Sequence, residues 1–406
     1  MAGLFGAIAR PRAEIRSVTL EEWARLQGGG TMANTGVYVS PETAMRYTTV
    51  LACVRVLSEA VSQLPIILYK RRKDGGKDRA TEHPLYRVLH DRANAWNTAF
   101  EYKEGTMCNL ATRGNGYAYV ERNSKAQTIG LIPLNPDGAT ITQARDWSPL
   151  YEMTMPDNSR QKLRGSEIHH IRGPLPKGYV GQSIISLARE AIGLGMAAES
   201  FGANMYRNGV KPSGVLQHPK VIGPVATENL RTQFSDRYAG LENSGKPIIL
   251  EEGMTWASLS ITPADAEFID SRKFQRSEIA GIFRVPAHMV NDLEKATFSN
   301  IEHQSLQFVV YTLGPWLKRW EEAIDRDLLA PGERDEYFCE FLVDALLKGD
   351  IKSRYEAYSS AIQNKWMNTN DVRNRENMNP REGGDVYENP AIQVDKPAVT
   401  PVKKAA

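Results

Sequence analysis

Tyr117-Ala-Tyr-Val-Glu-Arg122, Gly130-Leu-Ile-Pro133, Ala139-Thr-Ile-Thr-Gln143, Leu150-Tyr-Glu-Met-Thr-Met155 and Ile168-His-His-Ile171 follow one another in a single run. Each is a short β-prone stretch, and turn pairs such as Asn135-Pro136 and Asp157-Asn158 separate them, so the run predicts successive strands. Helical segments precede it, around His83–Arg92 and Phe100–Ala111. The combination predicts an α+β domain with a mostly antiparallel sheet. Further upstream, Ser40-Pro41-Glu42-Thr43 opens a helix: Ser40 caps it, Pro41 fits its first turn, and Thr43 stands where a capping box favours Glu. Val50, Leu51, Val54, Leu57, Val61 and Leu64 then recur at three- and four-residue steps, one buried face, until Pro65 ends the helix. Ile66–Lys70 reads as a strand and Asp74-Gly75-Gly76 as its turn. Residues 1–40 mix Arg with small residues and predict a flexible arm with one short helix, Leu20–Leu26.

Downstream, Ser183–Arg207 predicts a long helix rich in small residues, including Gly193, Gly195 and Gly202. Each interior Gly costs roughly 1 kcal/mol against Ala, a cost that close packing of a neighbour offsets. Pro212–Leu216 reads as a strand and about Val225–Ala239 as a helix. Pro247–Leu250 and Thr255–Ser260 are brief strands around Glu251-Glu252-Gly253, a hairpin-like unit. Thr262-Pro263 opens a helix reaching about Arg284, which Pro286 interrupts. After a polar loop, Ile301–Leu329 carries an apolar stripe of Leu306, Val310, Leu313, Leu317, Trp320, Ile324 and Leu328, with a kink expected at Gly314-Pro315. Helices over Ile351–Asn364 and from Asn370-Asp371 follow, and the chain past Pro380 reads as a disordered tail.

The 406 residues allow two or three domains, and 41% hydrophobic with 24% charged residues is a globular composition. Lys+Arg 50 against Asp+Glu 48 leaves +2, too balanced to coat nucleic acid by bulk charge. Cys53, Cys108 and Cys339 lie far apart, which excludes a disulfide scaffold and a cysteine-rich zinc site. His303–Leu317, the longest uncharged apolar-looking stretch, falls short of the ~20 residues of a spanning helix, so no membrane partner is expected.

Two patterns imitate nucleotide sites. Gly240-Leu-Glu-Asn-Ser-Gly245-Lys246 has phosphate-loop spacing, but Pro247 stands where Ser or Thr would hold Mg²⁺. A helix is expected before the loop and a strand after it, the reverse of the strand-loop-helix order a phosphate loop needs. Gly193-Leu-Gly195-Met-Ala-Ala198 lies within a helix, where helix–helix packing is its expected use. His169 and His170 would point to opposite strand faces and do not make a metal site. The residues contain no catalytic constellation, so the expectation is a non-enzymatic structural or interaction protein without metal or cofactor.

Several segments, in shared order, carry a resemblance. They are Gly178-Tyr-Val-Gly-Gln-Ser-Ile-Ile-Ser-Leu-Ala-Arg-Glu190, Asn208-Gly-Val-Lys-Pro-Ser-Gly-Val-Leu216, Lys246-Pro-Ile-Ile-Leu-Glu-Glu-Gly253, Arg272-Lys-Phe274 and Glu278-Ile-Ala-Gly-Ile-Phe-Arg-Val-Pro286. Thr297-Phe-Ser-Asn-Ile-Glu-His-Gln-Ser-Leu306, Leu313-Gly-Pro-Trp-Leu317 and Asn368-Thr-Asn-Asp-Val-Arg-Asn-Arg-Glu376 continue it. Over roughly residues 40 to 385 the chain resembles the portal proteins of tailed bacteriophages, in the family named after phage HK97.

The resemblance implies a portal fold of wing, helical stem, small β-containing clip and C-terminal helical crown. It implies a ring, normally of about twelve subunits, at one capsid vertex of the virion, assembled in the host cytoplasm. The resemblance further implies that double-stranded DNA is packaged and ejected through its channel. Implied partners are the terminase large subunit, the head–tail adaptor and the major capsid protein. Carried over by motif, the wing spans 41–223 and a kinked helix region 301–345, and the stem 224–241 and 263–289. The clip is 242–262, the tunnel loop 290–300, the crown 346–380 and the disordered tail 381–406. Lys295, Thr297, Phe298, Ser299 and Asn300 would face DNA; Lys246, Glu251, Glu252 and Trp256 would dock the terminase or adaptor; Pro286, Gly314 and Pro315 would serve as hinges. The alternatives left open are a nucleotide-binding enzyme using Gly240–Lys246 and another capsid connector.

Overall fold

Capping and periodicity place the first helices of the computed structural model, which describes residues 29–155, 157–207, 214–218, 221, 223–225, 227–229, 232, 254–258, 263–292, 298–343, 351–376 and 378–387. The chain divides at Leu342/Val343 into two compact units.

In the first unit, β1 (Thr31–Met32) and β2 (Tyr38–Val39) form an antiparallel hairpin, so the arm expected over 1–40 is ordered in its last part. Residues 1–28, including the short helix expected at Leu20–Leu26, lie outside the described residues. The helix expected from Ser40 to Leu64 is two helices: α1 (Pro41–Ala44) and α2 (Thr48–Ser62). Thr43 completes the capping box that was expected to want Glu. The Ser40 N–H donates to Thr43 Oγ1 at 2.7 Å, and the Thr43 N–H donates to Ser40 Oγ at 3.2 Å. Val50, Val54, Leu57 and Val61 of α2 are buried, as the periodicity requires, and Cys53 joins them, whereas Leu51, expected on the same face, is exposed.

β3 (Ile66–Arg71), β4 (Lys77–Arg79), α3 (Pro84–His90) and α4 (Ala99–Arg113) precede the strand run. That run contains β5 (Asn115–Arg122), β6 (Thr128–Leu134), β7 (Thr140–Gln143), β8 (Pro149–Thr154), β9 (Arg160–Arg164) and β10 (Ile168–Arg172). It forms two three-stranded antiparallel sheets, β10-β5-β6 and β7-β8-β9, in place of one sheet. Their apolar sides share a core that includes Tyr117, Leu134, Tyr151, Met153 and Ile168. β9 was not foreseen, because only Leu163 of its five residues is buried and its other positions are charged or amide.

The expected helix Ser183–Arg207 is α5 (Ile184–Leu187) followed by α6 (Arg189–Arg207). Gly193 and Gly195 receive the hairpin and the residue that precedes α2, not another helix. A Cβ at Gly193 would lie 2.5 Å from the Ala33 Cβ, and one at Gly195 would lie 2.9 Å from the Tyr47 ring. β11 (Gly214–Gln217) pairs with β12 (Thr255–Ser258). The strand expected at Pro247–Leu250 lies outside the described residues.

α7 (Pro263–Ile282), α8 (Phe298–Gln307), a π-helical turn (Phe308–Leu313) and α9 (Gly314–Asp327) follow. The helical region expected over 301–345 stops at Asp327, and β13 (Tyr337–Phe341) pairs antiparallel with β3. β13 is stabilised from α9: Glu321 Oε1 and Asp325 Oδ1 each accept a strand N–H, from Phe341 and Cys339, both at 3.0 Å. Helix carboxylates thereby satisfy donors that an edge strand would expose. Trp320, 1% exposed, meets Tyr102 and Phe341 edge-on at 6.2 and 6.4 Å. Burying a side chain of that size contributes about 2–3 kcal/mol, which fixes α9 on the sheet.

In the second unit, α10 (Ile351–Gln363) and α11 (Thr369–Arg375) are joined by the Arg354–Glu376 ion pair at 2.9 Å. The tail expected to be disordered from 381 is held over its first residues. The Asn370 amide donates to the Arg381 carbonyl at 3.0 Å and accepts the Arg381 N–H at 2.9 Å, and its own N–H donates to the Gly384 carbonyl at 3.0 Å.

Candidate functional site

α7 ends by a residue-by-residue closure that turns the chain sharply. The Val285 N–H donates to the Ala280 carbonyl at 2.9 Å and the Arg284 N–H to the Gly281 carbonyl at 3.0 Å. Arg284, at φ 58°, takes the left-handed position that glycine usually fills. Ala280 and Val285 are both buried, the apolar contact that accompanies this closure. Pro286 follows, and a single 3₁₀ turn, Ala287–Val290, closes in the same way: Asp292 N–H to Ala287 carbonyl at 3.0 Å, with Asn291 at φ 61°.

Two side-chain ties hold this doubled turn to the next helices. Thr312 Oγ1 donates to the Arg284 carbonyl at 2.7 Å, and His288 Nδ1 lies 2.9 Å from Gln304 Oε1. Between turn and helix lies a cavity of about 290 Å³, lined by residues that include Pro286, Gln307 and Tyr311. Pro315 explains the π turn: without an N–H it leaves the Tyr311 carbonyl unserved, and its ring crowds that carbonyl. The Gly314 N–H accordingly donates one residue further back, to the Val309 carbonyl.

Among the expected DNA-facing residues, Lys295 and Thr297 lie outside the described residues, and Phe298, Ser299 and Asn300 form the first turn of α8. The expected loop 290–300 is therefore bounded by Asn291 and Phe298. Of the expected docking residues, Lys246, Glu251 and Glu252 lie outside the described residues, and Trp256 stands on β12 opposite Leu216. The three expected hinge residues, Pro286, Gly314 and Pro315, flank the one assembly just described. Sequence reading missed Arg284, Thr312 and the His288–Gln304 tie. Pro315 was the one available signal for the π turn. The Gly240–Lys246 pattern lies outside the described residues, while Gly193–Ala198 is within α6. His169 and His170 meet different partners, Asp327 and Asn115, and no cluster able to hold a metal occurs among the described residues.

Replacing Arg284 with Gly is expected to stabilise the fold by about 0.5–1 kcal/mol. A non-Gly residue in the left-handed region costs about 1–2 kcal/mol, which glycine's greater chain entropy only partly offsets. An upward shift of the urea midpoint at unchanged slope would show it; a downward shift would contradict the assignment.

The family model described as Phage portal protein matches residues 48–377. The portal protein of Enterobacteria phage HK97 is 34% identical over 357 residues, covering 86% of this chain and 82% of that protein. The probable portal protein of Streptomyces phage phiC31 is 30% identical over 376 residues, 87% of this chain and 79% of its own. Among solved structures, a chain in the neck of a native gene transfer agent particle, computed with C12 symmetry, matches with a TM-score of 0.59 at 21% identity, covering 88% of this chain and 98% of that one. The chain belongs to the phage portal protein family, and within it to the HK97 family. It is thus a virion component of a structural, non-enzymatic family.

Proposed function

We propose that identical copies of this chain close into a ring, of about twelve subunits, whose axial channel conducts double-stranded DNA during packaging and ejection. The twelvefold symmetry stated for the matching gene transfer agent neck supports the closure. In this reading 41–223 and 301–345 form the wing, 224–241 and 263–289 the stem, 242–262 the clip, 290–300 the tunnel loop and 346–380 the crown. The terminase large subunit and the head–tail adaptor dock at the clip through Lys246, Glu251, Glu252 and Trp256, and the major capsid protein surrounds the ring.

The observation that carries the channel reading is the anchoring of segment 291–298. A doubled left-handed turn holds it on one side, and α8 with its π turn on the other. Pro286 and Gly314-Pro315 are the joints on which the loop would shift. Its sequence suits sliding. Lys295 is accompanied by Asp292 and Glu294, so the segment carries a net negative charge. Every phosphate neutralised by Lys or Arg adds a salt-sensitive binding term with slope near −0.9. Repeated around a ring, even one exposed cation per subunit would make a deep trap. Thr297, Phe298, Ser299 and Asn300 offer polar and van der Waals contact without that grip.

Thr297→Lys or Ser299→Lys is accordingly expected to slow or stall packaging while ring assembly survives, with partial relief as salt rises. An in vitro DNA-protection assay across a salt series measures this; packaging unchanged at every salt concentration would refute the weakly interacting loop.

A further inference from the structure

Four guanidinium groups from separate parts of the chain converge on one cavity of about 480 Å³ in the first unit: Arg122 of β5, Arg172 of β10, Arg326 of α9 and Arg334 beyond it. Asp327 is the one carboxylate among the residues described in its wall. It is already engaged, by the His170 N–H at 3.0 Å, by His169 Nδ1 at 3.2 Å and by Arg326 Nε at 2.6 Å. Glu333, close by in sequence, accepts from the Ala330 N–H, Gln127 and His83.

The remaining guanidiniums have no carboxylate in hydrogen-bond contact among the described residues. Arg122 donates to oxygens of Ser166, Ala126, Thr128, Asp327 and Leu328, of which all but the Thr128 hydroxyl are main-chain carbonyls. Arg334 donates to the Arg326 carbonyl at 2.6 Å. The Arg172 Nε is buried without an acceptor among the described residues. Four positive groups against one negative leave a clear cationic excess inside a concavity, where low-dielectric walls focus it. Burial lowers the Arg122 pKa, opposed by Asp327 and reinforced by the like charge of Arg334.

The rest of the wall is apolar, with Pro149, Leu329 and Pro331 between the charged groups. The volume lies in the range of organic-ligand pockets and exceeds what a lone oxyanion fills. Planar guanidinium forks match carboxylates bidentately. We propose that this cavity docks an acidic peptide segment of a partner protein, with two carboxylates on the arginines and an apolar side chain against Pro149, Leu329 and Pro331. This site is independent of the channel reading.

The test is isothermal titration of the full chain, at fixed ionic strength, with the blocked tripeptide Glu-Leu-Glu. Blocked Gln-Leu-Gln and inorganic phosphate serve as parallel titrants. The expected result is binding of Glu-Leu-Glu only, weakened at least tenfold in R172Q/R334Q. Arg334 is exposed, so R334Q alone leaves the fold intact and is expected to weaken binding about threefold or more. No binding of Glu-Leu-Glu, equal binding of Gln-Leu-Gln, or an unchanged affinity in R334Q would overturn the proposal. Phosphate binding as tightly as the tripeptide would overturn it too, and would make this a phosphate site.

Discussion

Gly114→Ala is expected to leave no soluble folded protein. Gly114 ends α4 at φ 76°, and its N–H donates to the Leu110 carbonyl at 3.1 Å. Two other backbone segments cross it. The Gly173 N–H donates to the Gly114 carbonyl at 2.7 Å, and a Cβ on Gly114 would overlap the Gln182 peptide group, with Ser183 N at 2.8 Å. Gly173 and Gly181 meet the same constraint from the other sides. Asn115 then fixes the crossing: its amide donates to the Gly181 carbonyl at 2.9 Å and its oxygen accepts the Gly181 N–H at 2.8 Å. The left-handed conformation alone costs a non-Gly residue about 1–2 kcal/mol, and backbone overlap cannot relax by a rotamer change. A total above about 4 kcal/mol would consume much of a marginal stability. Gly105, exposed in the same helix with nothing within 4 Å, supplies the control. Gly105→Ala is expected to gain up to about 1 kcal/mol. Soluble yield and denaturant midpoints of the two variants give the comparison; a folded, equally stable Gly114→Ala protein would refute the crossing.

Asp327→Asn is expected to cost about 3–5 kcal/mol. Its carboxylate ends α9 and receives donors from both His169 and His170 as well as Arg326. Burial would raise its pKa, but the hydrogen bonds and charges of His169 and Arg326 outweigh that and hold it at about 2. Arg326 is half exposed and can turn to water in the variant, so the lower end of the range is the better expectation. The pH dependence has two stages. His170 is kept neutral, by burial first and then by Arg172 and Arg326, so its pKa lies well below the ordinary 6.5. The unfolded chain therefore takes up that proton first, and stability falls below about pH 6.5 by up to ~1.4 kcal/mol per unit. The Asp327 contribution is complete above about pH 4 and is lost as the pH falls toward 2. Urea unfolding across pH 2–8 should show both stages in the parent and only the first in Asp327→Asn; a flat profile below pH 6.5 would contradict the neutral His170.

The His170 ring also shows why much of this was not legible in the sequence. Its Nε2 lies 3.0 Å from Asn115 Oδ1, and its Nδ1 lies 3.1 Å from the Tyr151 hydroxyl. Asn115 Oδ1 already accepts the Gly181 N–H, which makes Nε2 the donor and Tyr151 the donor to Nδ1. Periodicity revealed the opposite faces of His169 and His170, but not that Asp327 and Asn115 would meet them, since those contacts join residues far apart in the chain. Local chemistry was readable where one segment decides the outcome, as in Ser40 capping the first helix, the buried face of α2 apart from Leu51, and the turn at Asp74-Gly75-Gly76. β9 was lost because an edge strand with one buried side chain has no apolar alternation. β13 was lost because the resemblance assigned 301–345 to a helical region. At the candidate site Pro286 and Gly314-Pro315 were legible because proline acts on its own backbone. The left-handed Arg284 and the Thr312 hydroxyl were not, because only the packed neighbour gives them their roles.

Electron microscopy of the purified full-length chain tests ring closure most directly. The account predicts closed rings of about twelve subunits with an axial opening wide enough for a DNA duplex. A chain that stays monomeric under every assembly condition, or that assembles without an opening, would contradict it.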